Sequence, residues 1–197
     1  MAVRTDERSR PRIEGEREEE IFATSLRLLA EVGYDRLTMD AVATAAKASK
    51  ATLYRRWASK ADLVVDAVSR AKACPAPPVV DTGTLRGDLL AMSYGIGGLT
   101  DTVPMSVLVS LVTALPREPE LADAFHRLFL GPRLAVAREV FERAKERGET
   151  SADVDPQLLA SILPAVVIHH QLVLQAKVDE AFIERVVDEV VLPACRR

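Results

Sequence analysis

Apolar residues recur every three to four positions along most of this chain, and no segment shows the period-two alternation of a half-buried strand. Ile21, Phe22, Ser25, Leu26, Leu29 and Val32 share one helical face, and Gly33 stands where a left-handed C-terminal cap is expected. This first helix is predicted to begin after Pro11. Thr38 reads as the N-cap of a short second helix that turns Val42 and Ala45 inward. Residues 47–49 form a tight turn, and Lys50 to Ala58 a third helix. Ser59-Lys60-Ala61-Asp62 is a capping-box variant, with Asp in place of Glu or Gln, that opens a fourth helix to about Arg70.

The proline-rich stretch 74–83 (CPAPPVVDTG) has no helical pattern and reads as a connection between domains. Further helices are predicted at about 84–97, 103–114, 119–130, 132–147, 156–175 and 180–193. Gly131-Pro132 predicts a break with proline at a helix start, and Asp155-Pro156 repeats that grammar. Residues 158–168 (LLASILPAVVI) are apolar nearly all round, so that helix is expected to be buried on most sides and kinked by Pro164. Phe182, Ile183, Val186, Val187, Val190 and Val191 make a broad apolar stripe on the last helix, opposite Glu184, Asp188 and Glu189. The fold class is all-α. Residues 1–73 form an N-terminal helical domain with an arm, 74–83 the connection, and 84–197 a larger helical domain.

Composition narrows the function. A chain of 197 residues that is 48% hydrophobic can bury a proper core. Its two cysteines, Cys74 and Cys195, are too few for a disulfide framework. The charged start lacks the apolar run of a signal peptide, and the longest apolar stretches are interrupted by Pro104 or Pro164, so a soluble, cytoplasmic protein without a membrane span is expected. The net charge of −3 hides an asymmetry. Residues 1–72 carry 14 Lys/Arg against 12 Asp/Glu, and residues 73–197 carry 12 against 17. Between Ala41 and Ala61 stand Lys47, Lys50, Arg55, Arg56 and Lys60 with no acidic residue. Association follows such local fields rather than the total.

The third helix, projected at about 100° per residue, divides cleanly. Leu53 and Trp57 face the other helices. Ala51, Tyr54, Arg55 and Ala58 fall on the opposite side, with Thr52 and Arg56 on one flank and Lys50 on the other. Small side chains admit the backbone to a groove, Arg and Lys reach guanine edges or phosphates, and Thr and Tyr hydroxyls bond phosphate oxygens. Two short helices joined by a three-residue turn, the second with this face, make a helix-turn-helix.

Residues from about Arg17 to Asp66, above all LTMDAVATAAKASKATLYRRWASKADLV, resemble the DNA-binding domain of the tetracycline-repressor (TetR) family of bacterial regulators. Thr52-Leu53-Tyr54, Trp57 and Ser59-Lys60 match that pattern in place and order. The resemblance implies a ligand-responsive repressor that binds a pseudo-palindromic operator in double-stranded DNA as a homodimer, two late helices pairing with their copies in a four-helix bundle. It assigns Lys50 and Ala51 to base edges, and Thr52, Tyr54 and Arg56 to phosphates, with Lys60 and Thr38 at helix starts doing the same. Arg55 belongs to the DNA face from the helix projection. The arm with Arg4, Arg8, Arg10 and Arg12 is placed to reach the minor groove or backbone. The chain departs from the family where glycine is common, at Lys47 and at Ala51.

The larger domain is expected to hold a small, largely apolar ligand. Met92, Tyr94, Met105 and Leu108, among small residues, are candidates to line its pocket with Phe125 and Phe129, and Phe141 is placed near them. His169 and His170 follow the apolar run, and at least one of them or Gln171 is expected to face inward. Adjacent histidines point about 100° apart and no Cys or carboxylate shares their spacing, so neither a metal nor a cofactor is implied. The chain has no phosphate loop, G-x-S-x-G or HExxH. A reading from another class is a helical carrier or enzyme using His169 or His170.

Overall fold

Helices follow one another along the chain with the spacing that the apolar period predicts. The structure, a computed structural model, describes residues 10–71, 81–95 and 103–196, and among these the side chains other than those of 10–14, 94, 95 and 105. Four helices lead: α1 (Arg10–Arg36), α2 (Met39–Ala45), α3 (Lys50–Arg56) and α4 (Lys60–Ala71). After the connection come α5 (Leu85–Gly95), α6 (Met105–Ala114), α7 (Pro119–Phe125), α8 (Gly131–Glu146), α9 (Pro156–Leu172), α10 (Glu180–Val186) and α11 (Leu192–Cys195).

The helix-end signals work as expected at the N-terminal end, but α2 turns Val42 and Ala43 inward and leaves Ala45 exposed. Gly33 breaks the helical path of α1 with φ 76° and ψ 167°, a combination open essentially to glycine alone, and Tyr34 to Arg36 make one further turn. The Thr38 hydroxyl accepts from Ala41 N at 3.1 Å and caps α2. Ser59 Oγ accepts from Asp62 N at 3.1 Å at the start of α4. Lys47, in the turn before α3, takes φ 51°. A side chain there costs about 1 kcal/mol. Lys47→Gly is therefore expected to stabilise the chain by roughly 0.5 kcal/mol, less than that cost because glycine also frees the unfolded chain. Denaturant unfolding checks it.

One expectation fails in the larger domain. Gly131-Pro132 is not a break: α7 runs into α8 through a π-helical turn, His126–Leu130, closed by Gly131 N–H donating to His126 C=O. A proline in an α-helix clashes with the carbonyl four residues back, and the wider turn just before Pro132 relieves that clash. Gly131 is needed for it, since a Cβ there would lie 2.9 Å from the His126 oxygen. The same device precedes Pro193, where the π-turn Val187–Val191 joins α10 to α11. In α9, by contrast, the helix continues through Pro164 with neither a break nor a π-turn. Within one chain α9 is open on several sides. Leu159 is its one buried residue, while Leu158 is 62% exposed and Ile168 39%.

Two hydrophobic cores result. The first gathers α1–α4 around Phe22, Leu29, Leu53, Trp57 and Leu63, and also takes in Val107 and Leu111 of α6 and Leu121 of α7. The second joins α5, α8, α9 and α10 around Leu85, Phe141, Leu159 and Ile183. The first core therefore crosses the connection: α1 rests on α6 and α4 on α7, and these two helices carry α2 and α3.

Candidate nucleic-acid interface

Helix α3 is short because both its ends are fixed by side chains. Ser49 Oγ accepts from Thr52 N at 3.1 Å and shares a 2.8 Å hydrogen bond with Thr52 Oγ1, and Trp57 ends the helix in extended backbone. Leu53 is wholly buried. Trp57 is nearly so, edge-on to Phe22 with ring centroids 5.4 Å apart and Nε1 donating to Asp66 Oδ2 at 2.9 Å. The opposite side stays open: Lys50, Ala51, Tyr54, Arg55, Arg56 and Ala58 are exposed, Tyr54 by 54%, and Thr52 is half-buried. Thr38 is exposed at the start of α2.

The cations of this face differ in what they do. Lys50 Nζ lies 2.6 Å from Asp40 Oδ2 on α2, and the hydrogen bond and charge of that carboxylate raise the ammonium pKa above its ordinary value. Arg56 Nε lies 3.0 Å from Glu18 Oε1 on α1, and Arg70 Nη2 faces the other oxygen of Glu18 at 3.8 Å. Arg55 has no ion pair or hydrogen bond among the described residues. Lys60 is turned inward, half-buried, with Nζ donating to Tyr34 C=O at 3.0 Å and lying 4.1 Å from the centre of the Tyr34 ring. Burial, and then the charges of Glu118, Glu120, Asp35 and Asp62, push the Tyr34 hydroxyl pKa well upward. Arg4 and Arg8 of the arm lie outside the described residues, as do the side chains of Arg10 and Arg12.

Neighbouring contacts tie this unit to the larger domain. Tyr34 N donates to Ser110 Oγ of α6 at 2.8 Å, beside a groove of about 270 Å³ that Gly33, Asp35, Thr113 and Arg117 help to line. Arg127, on the π-turn, places Nη2 2.6 Å from Asp62 Oδ1 in the first turn of α4.

Two family models cover the chain: bacterial regulatory proteins of the tetR family over residues 21–67, and the tetracyclin repressor-like C-terminal domain over residues 79–190. The chain belongs to the TetR family. It is a DNA-binding transcriptional regulator. A DNA-binding transcriptional repressor TetR of Mycobacteroides abscessus is 38% identical over 176 residues, 89% of this chain and 92% of that protein. An HTH-type transcriptional regulator of Mycobacterium tuberculosis is 38% identical over 92% of this chain and 89% of its own length. Among solved structures, the TetR family transcription regulator SCO0332 superposes with a TM-score of 0.66 at 32% identity, covering 91% of this chain and 98% of its own. Another TetR-family regulator, from Rhodococcus sp., gives 0.69 at 22% identity, covering 90% and 99%.

In this TetR-family chain the residues expected to line a ligand pocket do not all come together. Met92 is buried in the second core, whereas Leu108, Phe125 and Phe129 pack half-buried against the first. Phe125 and Phe129 stack at 4.9 Å, and the Arg133 guanidinium lies 3.7 Å from the Phe129 ring centre. Phe141 belongs to the second core, away from that pair. The side chains of Tyr94 and Met105 lie outside the described residues. His169 is exposed, and His170 stacks on Phe182 of α10 at 4.0 Å. The separation arises because α7 and the π-turn after it turn Phe125 and Phe129 toward the first core, while α5 turns Met92 toward the second. Among the described residues, no helix is long and apolar enough to cross a membrane, and no group of three or more His, Cys, Asp or Glu side chains is placed to hold a metal.

Sequence reasoning missed Asp40 and Glu18 as partners of the α3 cations, and Arg127 as a tie to α4. No local periodicity signals an ion pair between elements far apart in the chain.

Proposed function

We propose that this regulator is a dimeric repressor that reads DNA through α3 and is released by a small, largely apolar molecule bound in the larger domain. The two-sidedness of α3 carries this reading: Leu53 and Trp57 anchor the helix while Tyr54 and Arg55 stand free in solvent. Ala51 permits close approach at the helix start, and Thr38 and Thr52 offer hydroxyls to flanking phosphates. Lys50 and Arg56 contribute by exchanging their carboxylate partners for DNA. Lys60 contributes at the edge, and its role in holding the Tyr34 corner makes its alanine variant a test of structure as much as of binding. The exposed Leu158, Ile168 and Val190, on α9 and the π-turn after α10, offer a second copy of the chain an apolar face.

The ligand acts through the contacts between domains. Any molecule that binds two arrangements of the larger domain unequally shifts their populations. Arg127–Asp62 and the shared first core make α4 the element that follows α7, and α3 moves with α4. The reading of the chain as a carrier or enzyme using His169 or His170 gains nothing from their placement, one in solvent and one against Phe182.

Selection from random-sequence DNA tests the proposal. The expected product is a pseudo-palindrome with half-sites about one helical turn apart, roughly 34–36 Å. Sedimentation at micromolar concentration is expected to show a dimer. A monomer, or a site without twofold symmetry, contradicts the proposal.

A further inference from the structure

We infer that Asp40 and Glu18 set the sequence selectivity of this regulator by holding the terminal cations of α3 away from DNA that does not match. This rests on the reading of α3 as the DNA face. Lys50 is the first residue of that helix and Arg56 the last, and each is paired with a carboxylate from a different element, at 2.6 Å and 3.0 Å. Tyr54 and Arg55, between them, are untethered. Both cations are open to water: the side chains of Lys50 and Asp40 are 64% and 57% accessible, and that of Arg56 is 54%, against a half-buried Glu18 at 29%. Water screens such a pair, so it exchanges readily when a better partner arrives.

The consequence differs between two kinds of DNA. Non-specific binding consists almost entirely of attraction between cations and phosphates. A cation already neutralised by a carboxylate contributes little to that attraction, and the carboxylate itself repels the backbone. On a matching operator, base-edge acceptors and phosphates in fixed register replace each carboxylate with well-aligned hydrogen bonds, so the exchange goes forward. The two acidic residues therefore weaken non-specific binding more than operator binding. They are a repulsive element that raises discrimination, a common route to specificity.

Four variants of the full-length protein test this: Asp40→Asn, Glu18→Gln, Glu142→Gln and Arg55→Ala. Binding is read by fluorescence anisotropy as a function of salt, on a random-sequence 30-base-pair duplex and on an operator obtained by selection. Asp40→Asn and Glu18→Gln are each expected to tighten non-specific binding roughly three- to tenfold near 0.1 M salt. The salt slope should steepen by about one for each freed cation. Operator affinity should rise by less, so the ratio of the two falls. Glu142 pairs with Arg138 on α8, and its variant changes net charge by the same amount at a remote place. It is expected to leave binding unchanged. The inference is overturned if Asp40→Asn and Glu18→Gln leave non-specific affinity unchanged or lower, or if Glu142→Gln matches their gain. Arg55→Ala separates the premise from the inference. Weakened binding in that variant keeps α3 as the DNA face, whereas unchanged binding removes the face and the inference with it.

Discussion

Trp57→Ala is expected to destabilise the protein by about 3–5 kcal/mol, the cost of truncating a large core aromatic residue. The indole ends α3, packs edge-on against Phe22 of α1 and donates to Asp66 of α4. It therefore joins three helices, and its loss opens a cavity in the first core and leaves the Asp66 carboxylate without that donor. Thermal unfolding of the variant checks the effect. Trp57→Phe separates its two parts, since phenylalanine keeps much of the ring contact and loses the hydrogen bond, and is expected to cost less. A melting temperature unmoved in Trp57→Ala would mean that α3 is rotated from the orientation described.

The second large effect is expected at Asp88, near the start of α5. Its side chain is wholly buried. Burial by itself raises a carboxyl pKa, yet the amide and hydroxyl of Thr82, each at 2.7 Å, and Arg147 at 3.1 Å outweigh it and hold the pKa below the ordinary 3.8. Arg143 also faces it, at 3.6 Å. Asp88→Ala takes the acceptor from the Thr82 amide and one carboxylate from Arg147 and Arg143, which keep Glu149 and Glu139, so it is expected to cost about 3 kcal/mol. The sign of the pH dependence follows from the lowered pKa. The stabilisation is fully present above the unfolded-state value, near pH 4, and is lost as pH falls through it toward the folded-state value. Wild type should lose stability in that acid range more steeply than Asp88→Ala. Urea unfolding at pH 7 and pH 3 checks both statements, and equal losses on acidification would remove Asp88 as the cause.

Most of the first domain was legible because its determinants are local. A hydroxyl three residues ahead of an amide predicts the caps at Thr38 and Ser59, and Gly33 and Lys47 sit where the backbone turns left-handed. The apolar spacing of Leu53 and Trp57 oriented α3 and so revealed its exposed face. The larger domain was harder to read for a physical reason. A proline marks a helix start only when nothing carries the helix across it. At Pro132 a π-turn does so, with Phe125, Leu128 and Phe129 packed on the first core. Residues 158–168 are apolar nearly all round, but sequence alone did not say which of them a single chain leaves uncovered. The pairing of Lys50 with Asp40 and of Arg56 with Glu18 depends on how α1, α2 and α3 cross, and that crossing is not written in any one segment.

The central claim is that the exposed face of α3 reads DNA. Its most direct test is the affinity of a Tyr54→Ala/Arg55→Ala double variant for an operator selected with the wild-type protein. Both side chains are exposed, so the variant is expected to melt within a few degrees of wild type. It is expected to bind the operator at least about 30-fold more weakly, as the loss of two interface side chains requires. Undiminished operator binding by a folded double variant would contradict the account.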